Sequence, residues 1–158
     1  MREDWSERLL VVIRRYYDPS SEANRRCGQL ETKPDNALTR VNRSCGDSVT
    51  VYRHGSGETG TISVDVRGCS ICNAAAAMAE RVAGLLPPED VTAYCDHIIE
   101  RINGSAETAD FPIPADFPVQ LRDDLESLCI LAEVPARRRC ATLSWEAVRE
   151  FLAENGAR

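Results

Sequence analysis

The chain has 158 residues, 43% of them hydrophobic and 28% charged, enough to bury roughly 68–70% of its unfolded surface without disulfide or metal staples. No apolar run reaches the ~20 residues that cross a bilayer, which excludes a helical membrane span. Lys and Arg number 19 against 25 Asp and Glu, a net charge of −6, which argues against a sequence-independent nucleic-acid binder.

Met1-Arg2-Glu3-Asp4-Trp5 is acidic and amphipathic and carries no apolar signal-peptide centre, so a cytoplasmic protein is expected. The seven cysteines, at 27, 45, 69, 72, 95, 129 and 140, gain meaning from that compartment. Cytosolic thiols stay reduced, and seven is odd, so metal binding or sulfur chemistry is favoured over a disulfide framework.

Trp5, Leu9, Val12, Ile13 and Tyr16 form a helical stripe that predicts a helix over Trp5–Tyr17, ended by Asp18-Pro19-Ser20-Ser21. A polar loop with Cys27 follows, from Glu22 to about Asp35, then a short strand over Leu38–Val41. Val49 and Val51 alternate with polar residues, as do Ile62, Val64 and Val66, and His54-Gly55-Ser56-Gly57 lies between them. This predicts an antiparallel hairpin, with the short strand on its edge. Gly68-Cys69-Ser70 closes the last strand, and Ser70 or Asn73 is the expected cap of a helix running through Ala74–Ala77 to about Leu85.

Pro87-Pro88 breaks that helix, and the next spans about Asp90–Ile102 with Val91, Tyr94, Cys95, Ile98 and Ile102 on one face. Gly104–Pro118 reads as a loop. Helices over about Val119–Ala132 and Cys140–Glu154 complete the chain, with a break at Pro135 and a stop at Asn155-Gly156. Strands first and helices later predict one α+β domain: a small three-stranded antiparallel sheet with helices on one face.

Three cysteines fall at seams between elements: Cys45 before a strand, Cys69 where a strand ends, and Cys140 at a helix start. Seams leave a side chain reachable while rigid elements hold it, which suits a metal ligand or a reactive thiol. Helix N-termini also favour thiolate over thiol.

Read together, Cys45-Gly46-Asp47, Gly68-Cys69-Ser70 before an Ala-rich helix, and Pro135-Ala136-Arg137-Arg138-Arg139-Cys140 resemble the IscU/NifU/SufU family of iron–sulfur assembly proteins. Tyr16-Tyr17-Asp18-Pro19 resembles the family's His-Tyr-x-x-Pro opening. The likeness spans nearly the whole chain and implies an IscU-like fold. It is closest to the SufU branch, because Arg139 stands where IscU scaffolds carry histidine and because 89–118 resembles a SufU-type insertion.

That branch implies zinc held by Cys45, Asp47, Cys69 and Cys140. It also implies persulfide sulfur accepted from a pyridoxal-phosphate-dependent, SufS-like cysteine desulfurase and passed to downstream assembly proteins. In the branch the desulfurase is thought to lend a histidine to the zinc and so free the first cysteine, which implies Cys45 as the acceptor. Arg137 matches a family arginine expected to pair with Asp47 or to stabilise the thiolates. The alternatives are a scaffold that assembles a [2Fe–2S] cluster on the same cysteines and a paralogue that delivers sulfur to a small-molecule pathway. On chemical grounds, three thiolates and a carboxylate suit a four-coordinate, borderline-soft metal, and the carboxylate is the easiest ligand to displace.

Cys72 departs from the family, whose members usually have serine or another small residue there. Cys69-Ser70-Ile71-Cys72 is a C-x-x-C, so Cys72 is either a packed thiol or a fourth sulfur ligand in place of Asp47. Cys95 and Cys129 lie on apolar helical faces and read as core. His54 and His97 read as surface residues, and Arg138 as part of a solvated basic face.

Overall fold

The computed structural model describes residues 5–17, 34, 36–54, 61–104 and 116–155. Cys27, the turn at 55–57 and most of the proline-rich loop expected over 104–118 lie outside them. The described elements are α1 (Trp5–Tyr17), β1 (Leu38–Val41), β2 (Ser48–His54), β3 (Thr61–Arg67), α2 (Ser70–Leu85), α3 (Pro88–Ile102), α4 (Val119–Leu128) and α5 (Arg138–Asn155). The order is the α+β pattern expected from strands first and helices later.

The sheet has the order β1-β2-β3. Both pairings are antiparallel, with Leu38 opposite Val51, Val49 opposite Val66, and Val51 opposite Val64. Side chains alternate across a strand, so Val49, Val51, Val64 and Val66 share one face, and all four are buried. Helices α2 and α5 pack on the sheet. The small side chains of Ala74, Ala75, Ala76 and Ala79, all buried, let α2 approach closely. It also serves the sheet edge, where the Val64 N–H donates to Glu80 Oε2 at 2.9 Å and a ladder group is satisfied that another chain could otherwise pair with.

A second layer joins the helices. Tyr94 of α3 stacks at a tilt between Phe117 and Trp145 of α5, with ring centroids 5.7 and 6.3 Å away. Helix α1 is fastened to α4 by a polar anchor: the Tyr16 hydroxyl donates to Asp124 Oδ2 at 2.7 Å, and the Arg15 guanidinium pairs with Oδ1 of the same carboxylate. Asp124 is buried, and a buried carboxylate persists only when it is paired and hydrogen-bonded in this way.

Four boundaries differ from the sequence reading, one of them the start of α3, at Pro88 rather than about Asp90. Helix α2 begins at Ser70 with Cys69 as its N-cap, so neither Ser70 nor Asn73 caps it. The helix expected to run to Ala132 ends at Leu128 and tightens into a 3₁₀ turn over Cys129–Glu133. Helix α5 starts at Arg138, which places Cys140 inside its first turn.

Candidate metal centre

The connection between β1 and β2 is a six-residue loop, 42–47, organised by the buried Asn42. Its N–H donates to the Asp47 carbonyl and its carbonyl accepts from the Gly46 N–H, both at 2.8 Å. Its Oδ1 accepts from the Ser44 hydroxyl at 2.7 Å. Gly46 closes the turn with φ +78°, a left-handed conformation that costs a side-chain-bearing residue energy and glycine almost none. The loop thus holds Cys45 outward, exposed, and turns Asp47 inward, buried.

Asp47 faces the end of β3. Its Oδ1 accepts from the Cys69 N–H at 3.1 Å, while its Oδ2 is buried with no hydrogen-bond partner. Gly68 makes room for this carboxylate: a Cβ at that position would lie 2.6 Å from Asp47 Cγ and Oδ1. One residue on, Cys69 caps α2, its Sγ accepting from the Cys72 N–H at 3.4 Å. Asn73 braces the same corner by donating to the Gly68 and Cys69 carbonyls at 3.1 and 3.0 Å.

Cys140 arrives from the far end of the chain on α5. A ligand atom from each of Cys45, Asp47 and Cys140 lies within 4.8 Å of the other two. Cys69 adjoins the trio through its N–H bond to Asp47. The tertiary fold therefore gathers three of the four residues named from the sequence within 4.8 Å, Cys45 at the exposed mouth with Asp47 and Cys140 behind, and sets the half-buried Cys69 beside them.

The electrostatics of this cluster favour a cation. Burial pushes the Cys140 thiol up to about 12, and Cys69, Cys45 and Asp47 add to the shift. Three thiolates and a carboxylate in one place repel one another, and a divalent metal reverses that sign. The orphaned Asp47 Oδ2 points the same way, because a buried carboxylate oxygen without a partner is costly. The residues present fit a thiolate-binding metal.

Other residues fall outside the cluster. Arg137 is exposed in a 3₁₀ turn over Pro135–Arg137 and makes no hydrogen bond with Asp47, whose Oδ1 is taken by Cys69 and whose Oδ2 has no partner. Arg138 is no plain solvated charge: its guanidinium donates to the Ala132 carbonyl at 3.0 Å and closes the turn before α5. Arg139 pairs with Glu146 two turns along α5, at 3.0 Å. His97 is exposed on α3, and Cys95 and Cys129 are core.

Cys72 is fully buried, and burial first, then Asp47 and Cys69, pushes its thiol up. Among the described residues it does not belong to the trio that meets within 4.8 Å. Two contributors escaped the sequence reading, Asn42 and Gly68. Gly68 stands inside a quoted motif and Asn42 three residues before one, but a loop hinge and a missing Cβ leave no periodic signal.

Three solved structures share this architecture. One is a hypothetical protein, 21% identical with a TM-score of 0.63, matched over 94% of this chain and 98% of that one. The second is SufU from Fervidobacterium islandicum AW-1, assigned as an iron–sulfur cluster assembly scaffold protein for the SUF system. It is 16% identical with a TM-score of 0.53, over 82% of this chain and 84% of that one. The third is the N-terminal part of a nitrogen-fixing NifU-like protein from Brucella abortus, 18% identical with a TM-score of 0.59, over 78% and 80%. The fold is that of SufU and NifU-like proteins. No family model and no curated protein matches the chain, so these structures speak for its fold alone. No helix among the described residues is long and apolar enough to cross a membrane.

Proposed function

We propose that this chain belongs to the IscU/NifU/SufU family and works as a zinc-containing sulfur carrier in iron–sulfur cluster assembly. One observation carries the reading: Cys45, Asp47 and Cys140 present ligand atoms within 4.8 Å of one another, beside Cys69, from three seams distant in sequence. Zinc, when bound, keeps the three sulfurs as protected thiolates and can exchange one ligand at a time. The residues then divide the work. Asp47 contributes the hard ligand and is itself oriented by the Cys69 N–H. Cys69 and Cys140 sit at helix starts, which hold them in place.

Cys45 is the acceptor in this reading. It is the exposed member of the cluster and sits next to Gly46, so a partner can reach it and the backbone can move. Its thiolate attacks the outer sulfur of the desulfurase's persulfide. The Cys45–sulfur bond forms, the desulfurase S–S bond breaks, and the desulfurase cysteine leaves as thiolate. A SufS-like cysteine desulfurase is the proposed donor, and cluster-assembly proteins are the proposed recipients.

The second reading, a scaffold that builds a [2Fe–2S] cluster, is favoured by the assignment of the SufU structure as a scaffold. Metal analysis of protein purified with and without air separates the two. Zinc near one per chain supports the carrier, and iron with acid-labile sulfide supports the scaffold. Cys45→Ser is expected to abolish persulfide acceptance from a cysteine desulfurase while the fold and part of the metal binding survive. An active Cys45→Ser would assign the acceptor role to another thiol.

A further inference from the structure

The sulfur-carrier reading leaves Cys72 without a task. Its side chain is fully buried, yet it adjoins the cluster. Its backbone N–H donates to Cys69 Sγ at 3.4 Å. Cys69 is half-buried. The two make an asymmetric pair at the start of α2: a reachable sulfur on the N-cap, and a hidden one three residues on. C-x-x-C at a helix start is the spacing at which redox dithiols close to a disulfide.

We propose that Cys69 and Cys72 form a redox dithiol that reduces sulfane sulfur carried on Cys69 and releases it as sulfide. The proposal deepens the sulfur-carrier reading and rests on it. Sulfur first moves by exchange: the Cys69 thiolate attacks the outer sulfur of a Cys45 persulfide, and Cys45 is left as thiolate. The Cys72 sulfur then attacks the inner sulfur of the Cys69 persulfide. The Cys69–Cys72 bond forms, and the bond to the outer sulfur breaks. The outer sulfur departs with the electron pair and with the Cys72 proton, as hydrogen sulfide. Two electrons pass from the two cysteines to the sulfane sulfur. A dithiol reductant of the thioredoxin class restores the pair.

Burial gives Cys72 its selectivity. It offers nothing to an electrophile in bulk solvent, and it meets only sulfur that its neighbour presents. Cys140 is the competing thiol, but it is a member of the trio that could hold a metal, whereas Cys72 is not.

The test uses the full chain, reduced, freed of reductant and loaded anaerobically with inorganic polysulfide. After desalting, sulfide release is followed with no thiol added. Wild type is expected to release about one sulfide per chain, to lose two hydrogens in intact mass, and to yield a Cys69–Cys72 disulfide on peptide mapping. Cys72→Ser and Cys72→Ala, each checked for native circular dichroism, are expected to retain the added sulfur until dithiothreitol is supplied. Release from either variant at the wild-type rate overturns the proposal, as does a disulfide mapped to Cys69–Cys140. Sulfur that stays on wild type overturns it too, while leaving the carrier reading standing. If no form takes up sulfane sulfur or releases sulfide, the carrier reading itself falls.

Discussion

At position 68 a single methyl group would collide with the carboxylate of Asp47, since the Cβ of an alanine there lies 2.6 Å from Asp47 Oδ1. Gly68→Ala is therefore expected to push Asp47 out of the cluster while the sheet and helices stay intact. A displaced supporting contact costs metal sites about 10–100-fold in affinity. Zinc competition against a chromophoric chelator, with circular dichroism as the fold check, reads this out. Asp47→Ala tests the same carboxylate directly: the fold is expected to persist and metal affinity to fall, because the orphaned Oδ2 is gone together with the acceptor of the Cys69 N–H. Unchanged zinc affinity in both variants would remove Asp47 from the ligand set. Arg137 carries a different expectation. It is exposed and makes no hydrogen bond with Asp47, so Arg137→Ala is expected to leave zinc affinity unchanged in the same competition assay.

Helix α2 joins two jobs in one residue, for Cys69 is both its N-cap and a cluster sulfur. Serine is a strong N-cap and a poor zinc ligand. Cys69→Ser is expected to hold thermal stability near wild type while metal occupancy drops. Cys69→Ala is expected to lose the metal and a further ~1 kcal/mol of stability. Equal stability losses in the two variants, measured by urea unfolding of metal-free protein, would deny Cys69 its capping role.

Helix α3 and the turn after α4 supply a pH dependence. Burial pushes Cys95 of α3 and Cys129 up to about 12 from the ordinary thiol value of 9.0. The unfolded chain releases those protons first as pH rises, so between pH 9 and 12 the folded state binds more protons and stability falls with pH. Below pH 9 both states hold them and the contribution is constant. Urea midpoints taken on either side of pH 9 in the presence of reductant check the sign, and Cys95→Ala is expected to flatten the slope.

Across the whole molecule, α1 packs on α2 and is fastened to α4 by the Tyr16–Asp124 anchor. Tyr16→Phe takes the hydroxyl from the buried Asp124 and is expected to cost about 1–3 kcal/mol without changing zinc affinity. Denaturant unfolding and metal titration together show whether the two effects separate. The far end of the chain is tied to the sheet by Arg40, which bonds Glu150 of α5 at 2.6 Å and so holds the helix that carries Cys140. The amino-acid pattern by itself determined the elements. Helical stripes located α1, α3 and α5, two-residue alternation located β2 and β3, and glycine and proline placed the breaks, because these signals are local in the chain. Motif context also singled out Cys45, Asp47, Cys69 and Cys140. Element ends were less legible: a cysteine rather than a serine caps α2, and α4 tightens early, because capping and 3₁₀ winding answer to neighbours in space. Only the tertiary structure decided that the three seams meet, that Gly68 leaves space for Asp47, and that Cys72 is buried beside Cys69 outside the trio of Cys45, Asp47 and Cys140. The first two join residues far apart in the chain and the third is a burial imposed by neighbouring elements, and all are set by how α5 and α2 pack against the sheet, which no local pattern encodes.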